Sequence, residues 1–330
     1  MIDARLSLAL DGGGLLWPSE GRIAVFQPKP DAMLPGLPKE RTQIITGFRL
    51  DFDHWRDRGY DCVVAAEGQY AAAVVSLPRA KSEARALIAE AARRTHGPLI
   101  IDGQKTDGVD SMLRDVRKRT KMEGPLSKAH GKLFWVTDPD ADTFEDWAAG
   151  PALTEGGFWT APGVFSADGI DPASALLVDT LPDRLGKRVA DLGAGWGFLS
   201  AHILTRPDVK ELHLVEAGHM ALDCARHNVT DPRAQFHWAN AMTWRPEERL
   251  DTVVMNPPFH AARSADPTLG QAFLRTAAQA LHAQGQLWMV ANRHLPYEAT
   301  LQSLFAKTSE VAGDRRFKLF HASRPLRKRG

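Results

Sequence analysis

Asp191-Leu192-Gly193-Ala194-Gly195-Trp196-Gly197 directly follows a short apolar strand and leads into a helix. In an open α/β sheet, ligands bind in the crevice beyond the carboxyl ends of the strands. Glycines there let the backbone pass close to a ligand that any Cβ would push away. Twenty-five positions beyond Asp191, Glu216 ends the next apolar strand, Leu212–Val215, where a carboxylate can accept two hydrogen bonds from a ribose diol. Together these features favour a nucleoside-containing cofactor over a structural turn. The dinucleotide fingerprint is Gly-x-Gly-x-x-Gly. Here the third glycine comes one residue early, and an acid stands two residues ahead of the first. That acid disfavours a pyrophosphate and suits a cation. S-adenosylmethionine carries a sulfonium and an ammonium, so Asp191, Gly193, Gly195 and Glu216 are expected to hold it. The competing readings are an Asp191 that only bonds loop amides and a Glu216 that is a solvated strand end. Asn240-Ala241, after the third strand, is read equally as lying beside the adenine or as a plain turn.

Outward from the loop, the alternation of elements continues. A helix is expected over Pro172–Thr180, strands at Arg188–Asp191, Glu211–Glu216, Ala234–Trp238, Thr252–Met255 and Gln286–Ala291, helices over Gly197–Leu204 and Gly270–His282, and a last strand at Arg316–Ala322. Strands separated by helices of this length imply right-handed crossovers and a mostly parallel sheet with helices on both faces. The N-terminal half alternates too. Val63–Ala66, Ala72–Val75 and Leu99–Ile101 read as strands, Lys81–Arg94 as an amphipathic helix stopped by Gly97-Pro98, and Asp110 or Ser111 opens another helix. No glycine-rich cofactor loop stands in its strand-to-helix turns, and Gly12-Gly13-Gly14 reads as a turn.

Asn256-Pro257-Pro258-Phe259 follows the apolar strand Thr252–Met255, which places it at the sheet edge beside the glycine loop. An exocyclic amine is a poor nucleophile because its lone pair is delocalised into the ring. An Asn side-chain oxygen and an adjacent backbone carbonyl can both accept from that –NH₂ and hold the nitrogen pyramidal. Prolines stiffen the turn and remove two backbone donors, and Phe259 offers a face for stacking an unpaired base. Positioning and electrostatics would then supply the acceleration, with neither a metal nor a covalent intermediate. The catalytic candidates are Asn256, Pro257 and Phe259.

The 330 residues are 44% hydrophobic and 25% charged, ordinary for a globular chain and enough for about two domains. The acidic, turn-rich stretch Asp138–Asp142 and then Ala149-Gly150-Pro151 marks a boundary, giving domains 1–150 and 151–330. Lys plus Arg number 41 against 40 for Asp plus Glu, which argues against a histone-like polyanion binder. Two cysteines, Cys62 and Cys224, suit a reducing cytoplasm and exclude a disulfide scaffold. Neither a signal pattern nor a membrane-spanning stretch is expected.

The sequence resembles the class I S-adenosylmethionine-dependent methyltransferases, and within them the bacterial small-subunit ribosomal RNA guanine-N2 methyltransferase family. Pro162-Gly163-Val164-Phe165-Ser166 with Gly169-Ile170-Asp171 and Ala173–Leu177, the Asp191–Gly197 loop, and Asn256–His260 with Val290-Ala291-Asn292, Leu295-Pro296-Tyr297 and Arg316-Phe317-Lys318 carry the likeness. It covers roughly 155–322, and departs from the family pattern after His260, at Ala261-Ala262-Arg263. The resemblance implies two tandem Rossmann-like methyltransferase domains, the N-terminal one degenerate and helping to hold RNA, with Ile101–Val109 as a diverged family segment. It implies that Phe165 and Ser166 line the cofactor pocket, that Asp171 reaches the cofactor's amino-acid end, and that the substrate is guanine N2 of ribosomal RNA, 16S above 23S. A cytoplasmic monomer is expected.

Two basic clusters are candidate phosphate contacts or solvated faces: Arg114, Arg117, Lys118, Arg119 and Lys121, and Arg315, Arg316, Lys318, Arg324, Arg327, Lys328 and Arg329. His130, His219, His227 and His260 lack metal-ligand spacing. The rival readings are a protein-glutamine methyltransferase, whose motif usually carries Tyr where Phe259 stands, and a non-catalytic RNA-binding or assembly module, against which the intact loop and Asn-Pro-Pro-Phe argue.

Overall fold

The computed structural model describes residues 2–258 and 267–327. Its contacts divide the chain into two compact units, Met1–Pro151 with Ala161–Gly163 and Ala152–Thr160 with Val164–Gly330.

The first unit runs α1 (Ile2–Asp11), β1 (Ile23–Phe26), β2 (Thr42–Ile45), α2 (Arg49–Asp57), β3 (Asp61–Val63), β4 (Ala72–Ser76), α3 (Lys81–Arg94), β5 (Leu99–Gln104), α4 (Val109–Arg117), β6 (Glu123–Lys128) and β7 (Gly131–Val136). Its sheet has the order β3-β2-β1-β4-β5-β7-β6, with β7 and β6 antiparallel. Strands β1 and β4 are buried throughout. Alternation sends Ala24, Phe26, Ala73 and Val75 into one core and Ile23, Val25, Ala72 and Val74 into the other. Both faces are covered, which is why these strands read as unbroken apolar runs.

A short hairpin, β8 (Ala152–Leu153) and β9 (Trp159–Thr160), opens the second unit. Then come α5 (Pro172–Thr180), β10 (Arg188–Leu192), α6 (Phe198–Ile203), β11 (Glu211–Glu216), α7 (His219–Asn228), β12 (Ala234–Trp238), β13 (Leu250–Met255), α8 (Pro267–Ala280), β14 (Leu281–Asn292), α9 (Glu298–Leu304), β15 (Phe305–Gly313) and β16 (Phe317–Pro325). The order is β12-β11-β10-β13-β14-β16-β15, the same as in the first unit. Each unit is a doubly wound, Rossmann-like sheet.

Two expectations are corrected. The stretch expected as the strand Val63–Ala66 is strand only up to Val63. The helix expected to reach His282 ends at Ala280, and Leu281 already begins β14. Within the mostly parallel sheet expected, the last strand runs antiparallel to both neighbours; the turn joining it to β15 is too short for a parallel crossover.

Candidate active site

Strand β10 lies at the switch point of the second sheet, with β11 on one side and β13 on the other, both parallel to it. Their carboxyl ends therefore open into one crevice. Gly193, Gly195 and Gly197 follow β10 with φ of 79°, 55° and 89°. These left-handed values exclude most side chains. At Gly197 an added Cβ would come within 3.0 Å of Val229 Cγ2 and 3.3 Å of Ala225 Cβ, so this glycine lets α6 pack on α7. At Gly195 a Cβ would meet no described heavy atom within 4 Å. Its open face is the cradle a ligand needs.

Glu216, at the end of β11, closes this loop from beneath. Its Oε2 accepts from Gly195 N–H at 2.8 Å and its Oε1 from Gly218 N–H at 2.7 Å. Burial raises its pKa, and those amide bonds oppose the rise. Each carboxylate oxygen retains a lone pair for a further donor.

Asp191 is placed differently from its expected position facing a bound cation. It is fully buried between the sheet and α6, where Oδ2 accepts from Ser200 Oγ at 2.7 Å. Its Oδ1 is buried without a hydrogen-bond partner. Burial pushes its carboxyl up to about 7, with the Ser200 bond opposing and the nearby Glu216 charge adding to the rise.

A small cavity of about 40 Å³ lies in front of the loop, lined by Phe165, Ser166, Asp171, Gly195, Trp196 and Asn256 among others. Phe165 stands at its mouth, 58% exposed. Asp191, Glu216, Asn240 and Ala241 lie outside this lining. Asn240 accepts Met242 N–H on its Oδ1 at 3.0 Å and Ala241 is buried, which is the turn geometry.

Asn256 follows β13, with Pro257 buried beside it. Its Nδ2 donates to Asp171 Oδ2 and to Ser174 Oγ, each at 2.9 Å. Phe259 and His260 lie outside the described residues.

Two residues that sequence reasoning did not assign a role complete the site. Ser174 is one. Asn228, at the end of α7, is the other: its Oδ1 accepts Trp159 N–H at 2.7 Å, and its Nδ2 donates to Trp159 O at 2.8 Å and Trp196 O at 2.7 Å. Trp196 Nε1 in turn donates to Phe165 O at 3.0 Å. The glycine loop and the segment carrying Phe165 and Ser166 are thus tied together. No local sequence signal marks Asn228, since Trp159 is 69 positions away.

The first unit, by itself, shows what the same topology does without these residues. Phe26 stands between Ile45 and Val75 as Leu192 stands beside Val215. Extending that register puts Gln27 and Lys29 where Gly193 and Gly195 stand, Thr46 where Glu216 stands, and Ser76 where Asn256 stands. Gln27 keeps the positive φ, at 49°. Lys29 reaches Asp107 at 2.8 Å, and the fully buried Arg5 makes two bonds to Asp102, at 2.6 and 2.9 Å. These ion pairs line a cavity of about 130 Å³ at this edge, where the second unit presents its glycine loop instead. Removing one partner of a buried pair costs about 3–5 kcal/mol, which holds Arg5 and Asp102 in place; Lys29 is half exposed.

Of the basic residues, Lys318 is buried and paired with Glu298, which removes it from the candidate RNA contacts. Arg119 is bound to Asp146. Arg114, Arg117, Lys118 and Lys121 are exposed and in no ion pair among the described residues. Lys328 and Arg329 lie outside those residues. Among the described residues no group of three or more His, Cys, Asp or Glu is arranged to hold a metal ion, and no helix is long and apolar enough to cross a membrane.

A doubly wound sheet with a glycine turn after its first strand, an acid ending the second and Asn-Pro-Pro after the fourth defines the Rossmann-like methyltransferase class. Residues 155–321 match the methyltransferase small domain family, and the chain belongs to it. A Hahella chejuensis protein called ribosomal RNA small subunit methyltransferase C is 26% identical over 92% of this chain and 94% of its own length. A ribosomal RNA large subunit methyltransferase G of Ectopseudomonas mendocina is 36% identical, over 49% of this chain and 44% of its own. The solved T. thermophilus 16S rRNA N2 G1207 methyltransferase, in complex with AdoMet and guanosine, matches with a TM-score of 0.76 and 26% identity, over 94% of this chain and 90% of that one.

Proposed function

We propose that this chain transfers a methyl group from S-adenosylmethionine to the exocyclic N2 amine of a guanine in small-subunit ribosomal RNA. The observation that carries the reading is the Asn256 carboxamide, anchored through its nitrogen beside a cavity bounded by the glycine loop. Its oxygen is thereby left to accept from a substrate amine.

The residues present fit the cofactor: an open cradle at Gly195 and the Glu216 carboxylate that holds it. When bound, S-adenosylmethionine supplies an electrophilic methyl on a sulfonium. Gly193 and Gly195 would let the backbone approach it and Glu216 would receive the ribose diol, while Asp191, buried on Ser200, would support the loop from behind. Phe165 and Ser166 form the wall that excludes water. Asn256 Oδ1 and the Pro257 carbonyl accept from the amine and hold its lone pair toward the reacting centre. Preorganised acceptors of this kind are worth roughly 10²–10³ in rate. Phe259 is assigned to stack on the guanine, and the first unit to hold RNA.

A second reading, methylation of large-subunit RNA, is favoured by the higher identity of the large-subunit relative, confined to about half of this chain. The small-subunit reading is preferred because its relatives match across both units. Incubating the chain with methyl-labelled cofactor and separated small subunits, large subunits or naked RNA distinguishes them. Label on small-subunit RNA is expected; label on large subunits alone supports the second reading, and label on protein alone contradicts both.

A further inference from the structure

A carboxamide can turn either end to a substrate, and only its oxygen can accept from an amine. In Asn256 the choice is fixed. Its nitrogen has two hydrogens, and two acceptors meet them: Asp171 Oδ2 and Ser174 Oγ, both at 2.9 Å. A flipped amide would set its oxygen against the Asp171 carboxylate. Asp171 is held in turn, since the same Oδ2 accepts Ser174 N–H at 2.8 Å and makes this residue the N-cap of α5, with Pro172 in the first turn. Asp171, Ser174 and Asn256 thus close a ring of three hydrogen bonds onto the start of a helix, joining residues 85 positions apart.

We infer that Asp171 and Ser174 are positioning residues that orient Asn256, rather than contacts for the amino-acid end of the cofactor. The inference rests on the amine-methylating reading above. Orientation is one half of the effect. The other is electrostatic: a carboxylate behind the amide nitrogen polarises the amide and makes Oδ1 a stronger acceptor. It also stabilises the positive charge that grows on the attacking nitrogen. Ser174 contributes orientation alone, so its loss is the milder one.

Asp171→Asn tests this in the full chain, because Asn also caps helices well. With RNA substrate, kcat is expected to fall about tenfold or more, while the cofactor dissociation constant, measured by calorimetry without RNA, changes by less than about threefold. Ser174→Ala is expected to lower kcat by about threefold. The side-chain amide proton resonances of Asn256, assigned by their loss in Asn256→Ala, provide a readout independent of turnover. They should move upfield in Asp171→Asn as the charged acceptor is lost. A tenfold rise in the cofactor dissociation constant with unchanged saturated kcat would place Asp171 on the cofactor and overturn the inference. So would unchanged kcat with unmoved Asn256 resonances, which would make Asp171 a helix cap only. If the wild-type chain methylates no guanine, the functional reading fails instead, and the resonances still decide whether Asp171 orients Asn256.

Discussion

Glu216 Oε2 accepts a hydrogen bond from the Gly195 backbone at 2.8 Å, so the acid that ends the second strand also shapes the loop that ends the first. With its other oxygen on Gly218, the side chain fixes two backbone amides at once. Glu216→Ala leaves both without an acceptor, at about 1–3 kcal/mol each where they are buried. Cofactor affinity, read by calorimetry, is expected to fall at least tenfold with a lower melting temperature. Glu216→Gln, which keeps one acceptor oxygen, should lie between wild type and Glu216→Ala.

The loop glycines separate stability from binding. A left-handed residue other than glycine costs roughly 1–2 kcal/mol. Gly197→Ala adds a clash with Val229 and Ala225 and is expected to lower unfolding free energy by more than about 2 kcal/mol. Gly195→Ala meets no described neighbour, so it should cost about 1 kcal/mol in stability and far more in cofactor binding. Urea unfolding with calorimetry checks both; equal effects on binding and stability for the two variants would contradict the cradle.

Asp191 predicts a pH dependence with a definite sign. Burial raises its carboxyl from 3.8 to about 7, so the fold binds this proton more tightly than the unfolded chain does. Its contribution to stability is full below about pH 4 and is lost as pH rises through 7. Asp191→Asn keeps an acceptor for Ser200 and removes the titration. Relative to wild type, this variant should therefore gain stability between about pH 5 and pH 8 in urea unfolding. A variant that loses ground over that interval would contradict the burial argument.

The exposed Arg114, Arg117, Lys118 and Lys121 give a test of RNA docking by the first unit. Replacing all four by Ser should raise the RNA KM and leave kcat and cofactor affinity unchanged. If they touch phosphates, the slope of log affinity against log salt should flatten by about 0.7–0.9 for each phosphate no longer neutralised. An unchanged slope makes them a solvated face.

Much of the fold is legible in the sequence where the signal is local. Helix α3 runs Lys81–Arg94 as its apolar spacing and the Gly97-Pro98 stop require. The glycine loop and Asn256 follow their strands as read. Strands β1 and β2 are not legible: each is four residues long, and the turn after β1 carries Gln27-Pro28-Lys29 in place of glycines. Helix α7, which buries Ala221, Leu222, Cys224 and Ala225, is not among the helices read from the sequence. Asp191 reads as facing a cation because its place next to the loop is visible in the sequence. The side of the strand on which it meets Ser200 is settled only by packing. Asp171 and Ser174 reach Asn256 across more than eighty residues, a relation that spacing does not reveal.

The most direct test is to methylate RNA with the purified chain, digest it to nucleosides and identify the product by mass spectrometry against synthetic standards. Small-subunit RNA from cells lacking the gene is the substrate, and Asn256→Ala the control. The account predicts N2-methylguanosine formed by the wild type and reduced at least about 100-fold by Asn256→Ala, with cofactor binding retained. Methylation at a ring nitrogen, a ribose oxygen or another base, or full activity in Asn256→Ala, would contradict it.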